Sequence, residues 1–392
     1  MAQTFRPAAG REEAGFTLME ILITLGLTML IMAGTLRAMN DALRASEVAQ
    51  GTTAMNQGLR TAMDIMVRDM LQVGQGLPSG RTIDIPNGTG STELNLPGPP
   101  GTGTRKMPKV WDTATSAWKA AEEMTAIVPG VGLGPEVVTG AGNSDVITVV
   151  LADGAFLSTI SDYDVNLTML CTSGQKMTVD PSVDISNGGS DDLHKGDLIM
   201  LSKGSATTLV EITDLDGVQT ATFGTPDSLN LNQSGAANGT LNALAGLAPA
   251  DNCTATNFQP TTATRIRMIT YYIDNVTDPK RPRLVRRINN GKPDVYDNTL
   301  GTPLAFDVEN LQISYDLVDG VNNPAGVKFT DADRNGTGRC SPNPCSPNQI
   351  RKVNIVLSGR SRNPMRQTRM YLRNTLTTQV SLRSMSFIDR YK

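Results

Sequence analysis

Gly15-Phe16-Thr17-Leu18-Met19-Glu20, continued by Ile21-Leu22-Ile23-Thr24-Leu25, sets the organisation of the chain. From Phe16 to Leu36 there are 21 residues and one charge, Glu20. As a helix this stretch is roughly 32 Å long, enough to cross a bilayer core of about 30 Å. A carboxylate near the start of a membrane helix costs about 3 kcal/mol on insertion scales, so Glu20 calls for a partner. Cutting the chain after Gly15 would create one. The new amine of Phe16 would lie one helical turn from Glu20.

A short polar leader, a glycine, Phe-Thr-Leu-x-Glu and an apolar helix together resemble the signal of the type IV prepilin family. The resemblance implies that a prepilin peptidase cuts between Gly15 and Phe16 and methylates the amine of Phe16. It also implies that Glu20 helps dock the subunit into a helical filament. Rival readings are a signal anchor with an incidental Glu and a secretory signal peptide. The second would have a shorter apolar core followed by a small-x-small cleavage site. In the leader, Glu12 and Glu13 balance Arg6 and Arg11, which weakens the positive-inside signal.

The helix is expected to run past the membrane. No proline occurs between Arg37 and Pro78, and Met55, Leu59, Met63, Met66, Met70 and Val73 recur at steps of three and four. Arg60, Asp64 and Arg68 fall on another face with pairing distance between them. Gly74, Gly76 and Pro78 give a stop signal. Gly34 and Ala38 form a small-xxx-small pair that lets another helix approach closely.

Farther along, residues 75–142 read as irregular, with a short helix over Ala114–Met124. Strands are expected at Val146–Leu151, Leu198–Leu201 and Thr208–Ile212, and long loops over Gly217–Pro260. Near the C-terminus apolar and polar residues alternate. This predicts strands around Ile266–Tyr272, Leu284–Ile288, Leu311–Tyr315, Val353–Leu357 and Leu376–Leu382. The first two are expected to pair across Asp278–Pro282. Successive strands without intervening helices give an antiparallel sheet. The expected fold is α+β, one long helix with its outer half packed on a C-terminal antiparallel sheet with long loops. The expected parts are a leader over 1–15 and a transmembrane or filament-core helix over 16–36. An amphipathic continuation over 37–74 and a globular β-rich domain over 75–392 follow.

Met66-Val-Arg-Asp-Met-Leu-Gln-Val-Gly74 resembles the helix end of the minor pilin PilW family. So do Arg267-Met-Ile-Thr-Tyr-Tyr-Ile-Asp274 with Leu284-Val-Arg-Arg287, and the blocks Phe306–Tyr315, Val353–Ser361 and Val380–Ser386. The middle of the chain is not covered. The resemblance implies a minor pilin held in the inner membrane with its domain periplasmic, later at the cell surface in a pilus. Its partners would be prepilin peptidase, the major pilin, other minor pilins and a tip adhesin. It would prime pilus assembly or act in the tip complex. The rival within this group is a minor pseudopilin of a type II secretion system.

Four cysteines in an exported chain suggest disulfides and allow three pairings. Cys340 and Cys345 flank a short Pro-containing loop they could close, leaving Cys171 with Cys253. A zinc site lacks a CxxC pair and has only His194 to add. Asp331-Ala-Asp-Arg-Asn-Gly336 matches the first half of a calcium loop, but Pro342 stands where an EF-hand needs Glu. A looser calcium site using Asp331, Asp333 and Asn335 remains open.

No other cofactor is expected. The sequence holds no HExxH, GxSxG or phosphate loop, so no enzyme is expected. A membrane-anchored extracellular enzyme would need a pocket with convergent carboxylates. Charge is uneven: 17 acids and 3 lysines over Glu122–Asp251, against 10 basic residues and one acid over Ile350–Lys392. The reading is two solvated faces that complement each other or a neighbouring subunit. DNA or anionic lipid on the basic tail is the alternative.

Overall fold

The computed structural model describes residues 15–78, 82–85, 93–101, 103–153, 169–170, 176–179, 184–185, 193–203, 206–232, 262–290, 301–365 and 368–385. A single helix, α1 (Leu18–Leu71), opens it. Thr17 caps its start, and Gln72 closes it, one residue short of Val73, the last member of the predicted stripe. Gly74 and Gly76 then take left-handed backbone angles and turn the chain into the domain. At roughly 81 Å, the helix is far longer than the domain alone requires.

The methionine stripe does what its spacing predicts. Leu59, Met63, Met66 and Met70 are buried, and Met55 is partly buried against the same core. Arg60, Asp64 and Arg68 are exposed on another face, and among the described residues no ion pair links them.

Seven short strands follow: β1 (Thr82–Asp84), β2 (Asn95–Leu96), β3 (Arg105–Lys106), β4 (Val110–Asp112), β5 (Ala117–Lys119), β6 (Glu123–Thr125) and β7 (Ile127–Gly130). The expectation of irregular chain here is thus only partly met. The short helix expected over Ala114–Met124 does not form. Asp112 accepts hydrogen bonds from Ala114 N at 2.9 Å and Thr115 Oγ1 at 2.9 Å, which makes a tight turn. Ser116 takes a left-handed angle, and the chain returns as β5 opposite β4.

Next come β8 (Val146–Ala152), β9 (Met169–Leu170), β10 (Lys176–Thr178), β11 (Leu198–Lys203), β12 (Ala206–Glu211), β13 (Asp214–Asp216) and β14 (Thr220–Thr222). The last group is β15 (Thr262–Asp274), β16 (Arg283–Ile288), β17 (Thr302–Phe306), β18 (Val308–Leu317), β19 (Ile350–Arg360) and β20 (Arg373–Ser381). A four-residue helix, α2 (Asp331–Arg334), lies between β18 and β19.

Every strand pairing is antiparallel. The largest sheet has seven strands and runs β12-β11-β15-β16-β17, with β8 on β15 and β7 on β8. β15 and β16 pair as predicted, with Tyr272 opposite Val285. A second sheet, β18-β19-β20, packs under the helix, as its strict in-out alternation predicts. Gly359 on β19 sits where a Cβ would come within 2.9 Å of a Leu59 methyl, so helix and sheet meet at closest approach there. The architecture is α+β, with one apolar helix ahead of a largely antiparallel domain.

Asp145 ties the sheets together. Its backbone N donates to Leu311 O, and its carboxylate accepts from Gly132 N and Ile313 N, each at 2.7 Å. Among the described residues, Arg360 and Arg373 both pair with Glu309, and no ion pair joins the acidic middle to the basic C-terminal stretch.

Candidate functional site

The N-terminal part of α1 touches nothing in the domain, and from Ile21 to Leu36 it is apolar on every side. All residues from Gly15 to Gln50 are exposed, including Leu22, Leu25, Leu30, Ile31 and Leu36. Contact with the domain begins near Gly51, close to Ser361 and Leu372. About 50 Å of helix therefore stands clear of the fold. A helix hydrophobic all round is one made to be covered by lipid or by other helices. It is long and apolar enough to cross a membrane.

Gly15 and Phe16 lie in extended chain just ahead of that helix, and Phe16 is 79% exposed. Glu20 folds back over the helix start. Its carboxylate accepts from Thr17 N at 3.0 Å and from Thr17 Oγ1 at 3.1 Å, while its own N donates to Thr17 Oγ1 at 3.3 Å. This reciprocal cap satisfies two donors the first turn leaves open. It also parks the negative charge beside the peptide that joins Phe16 to Thr17.

The other end of α1 holds a buried ion pair. Asp69 is 4% exposed. It accepts a short hydrogen bond from the Tyr271 hydroxyl and another from Arg286 Nε at 2.6 Å. Burial and the adjoining Asp69 carboxylate push the Tyr271 phenol far above its ordinary value, so it stays a donor. Burial works against the Arg286 charge, but Asp69 outweighs it and holds the guanidinium above its usual value. Three separate sequence blocks, around Asp69, Tyr271 and Arg286, thereby converge on one point. Their convergence was not legible in the sequence, because the register of β15 against β16 brings the last two together.

Cys340 and Cys345 form the expected disulfide, with Cα atoms 5.4 Å apart. Cys171 and Cys253 lie outside the described residues. Asp331, Asp333 and Asn335 are each engaged by protein donors. Asp331 pairs with Arg334; Asp333 accepts from Thr330 N at 3.1 Å and Arg339 N at 3.0 Å; Asn335 accepts from Thr337 N at 3.1 Å. Gly336 does make the sharp turn, with a left-handed φ of 79°. Among the described residues no group of three or more His, Cys, Asp or Glu could hold a metal ion. Calcium would have to displace these internal bonds. His194 lies in the turn ahead of β11, where its backbone N donates to the Asp197 carboxylate at 2.9 Å.

A cleft of about 650 Å³ opens where β4, β6 and β7 face α2 and the disulfide loop. The sequence held one sign of it: both tryptophans of the chain, Trp111 and Trp118, flank the Asp112 turn. They meet edge to face at 5.1 Å across β4 and β5. Comparison with protein families, curated proteins and solved structures finds no significant match to this chain.

Proposed function

We propose that this chain is a minor pilin of a type IV pilus, similar to the PilW family. A prepilin peptidase processes it, and it acts in priming pilus assembly or in the tip complex. The observation that carries the reading is the coincidence of two features. A Gly15-Phe16 cleavage signal lies at the foot of a helix that is uncovered over its first 50 Å or so and apolar, apart from Glu20, as far as Leu36. In the inner membrane that half of α1 is covered by lipid; in a filament it is covered by equivalent helices of the major pilin and other minor pilins. The domain then sits on the periplasmic side, and later at the cell surface.

Glu20 has a role in both settings. In the uncut chain it caps the helix through Thr17. After cutting, the amine of Phe16 is adjacent in the chain to the Thr17 N that Glu20 already holds. A charge pair then replaces a lone carboxylate, which lowers the cost of burying it. Mass spectrometry of filament-associated protein tests the reading. An N-terminus at N-methyl-Phe16 is expected; an intact leader on assembled protein would overturn it.

A further inference from the structure

We infer that the cleft between the tryptophan hairpin and the disulfide loop binds a neutral saccharide. The argument starts from concentration. Aromatic residues make up only 4% of the chain, yet Trp111 and Phe329 line this cleft and Trp118 packs against Trp111 from behind the lining. Trp118 is occupied on one face by the Arg334 guanidinium, 5.0 Å from the ring centroid. Trp111 is the ring that faces the cleft. Phe329 holds a left-handed backbone angle, φ 58°, which a bulky residue adopts at a cost and keeps only where its surroundings impose it.

The lining also carries uncharged polar side chains, Thr125, Thr330, Ser346 and Asn348. A sugar hydroxyl both donates and accepts and can serve any of them. The apolar C–H face of a pyranose suits the indole of Trp111, as apolar bodies with polar rims suit aromatic walls. The volume fits a small-molecule ligand.

Charge narrows the class. Lys109 pairs with Glu93 at 3.1 Å, Lys119 with Glu122 at 3.5 Å, and Arg334 with Asp331. Glu123 adds a further acid to the lining. Every cation is already answered, so nothing here attracts a phosphate or a polyanion. An extended peptide fits less well. Strand addition needs main-chain N–H groups along an edge, and Pro108, Pro129, Pro344 and Pro347 deprive these walls of them.

Because one of the chain's two tryptophans lines the cleft and the other packs on it, the intrinsic emission of the full chain reports on this site. The chain is held in a polyoxyethylene detergent, which carries no sugar, and titrated with maltotriose, cellotriose, xylotriose and triacetylchitotriose. At least one should give a saturable emission change at or below about 10 mM. Trp111→Ala should abolish binding by calorimetry, and Asn348→Ala should weaken it about fivefold with an unchanged unfolding midpoint. No saturable change with any of the four sugars overturns the inference. So does binding that neither substitution alters, or Trp111-dependent binding of a decaproline peptide in place of sugars. The result is independent of how the N-terminus is processed.

Discussion

Asp69 sits where helix and sheet must agree, and its environment fixes what its loss costs. Truncation to Ala would leave Arg286 as a part-buried cation without its partner and the buried Tyr271 hydroxyl without its acceptor. Removing one partner of such a pair costs about 3–5 kcal/mol, because an uncompensated charge stays buried. Denaturant unfolding of Asp69→Ala should show a loss of that size, and the double variant Asp69→Leu with Arg286→Met should recover much of it.

Arg105 is the contrasting case. It is buried without a carboxylate, bonded to Thr148 Oγ1 at 2.7 Å, and burial pulls its guanidinium down to about 10. Glu211 shows the same burial effect with opposite charge. Burial, reinforced by the nearby Asp227 carboxylate, raises its carboxyl to about 7, although Ser228 and Leu229 donate to it. The folded form thus holds a proton that the unfolded form has released. Its contribution to stability is complete below the unfolded value of 4.5 and is lost as pH rises through about 7. The loss amounts to about 3 kcal/mol. Unfolding measured from about pH 5 to pH 8 should show stability falling across this window, and Glu211→Gln should flatten the slope.

At the scale of elements, α1 and the C-terminal strands were legible in the sequence because their burial is one-sided. The methionine stripe has period 3.6 and β18, β19 and β20 have period 2, so pattern and structure coincide. The region from β1 to β7 was not legible, for a physical reason. Its strands are two to four residues long, too short for a period to show, and they are held by side-chain turns such as the one at Asp112. The cleft belongs to that region, which is why only its tryptophans could be noticed beforehand.

The helix–sheet contact carries a prediction of its own. Gly359 leaves no room above β19, with Leu59 at 2.9 Å and Asp307 O at 3.2 Å from where a Cβ would stand. Gly359→Val should lift α1 from the sheet and cost about 1–3 kcal/mol, the range for overpacking a filled core. Unfolding midpoints compared with Ser358→Val, one residue along and directed the other way, would separate crowding from a change in strand propensity. Equal midpoints for the two variants would count against the close contact.

For the whole molecule, the decisive feature is a division between a folded domain and an uncovered apolar rod. Each exposed Leu, Ile or Met on Leu18–Leu43 forfeits up to about 1.5–3 kcal/mol that burial would recover. Summed along the rod, that favours lipid or neighbouring helices strongly over water. The domain makes no use of it, since its core draws on α1 only from Met55 onward. On the pilin reading proposed above, the rod changes its surroundings from bilayer to filament without disturbing the fold, and Glu20 is the one charge within its apolar stretch up to Leu36 that must be answered in both places.

The consequence is separable in two variants. The full chain should remain with membranes after alkaline carbonate washing, and a chain beginning at Gly51 should be released. Glu20→Ala should stay in the membrane as firmly as the unaltered chain, because it removes a charge from the apolar rod. It should still be cut after Gly15, yet enter filaments poorly, since the carboxylate that answers the Phe16 amine is gone. Quantitative immunoblotting of sheared filaments against the membrane fraction reads that ratio. Incorporation of Glu20→Ala at the level of the unaltered chain would show that the carboxylate serves only the cap on Thr17.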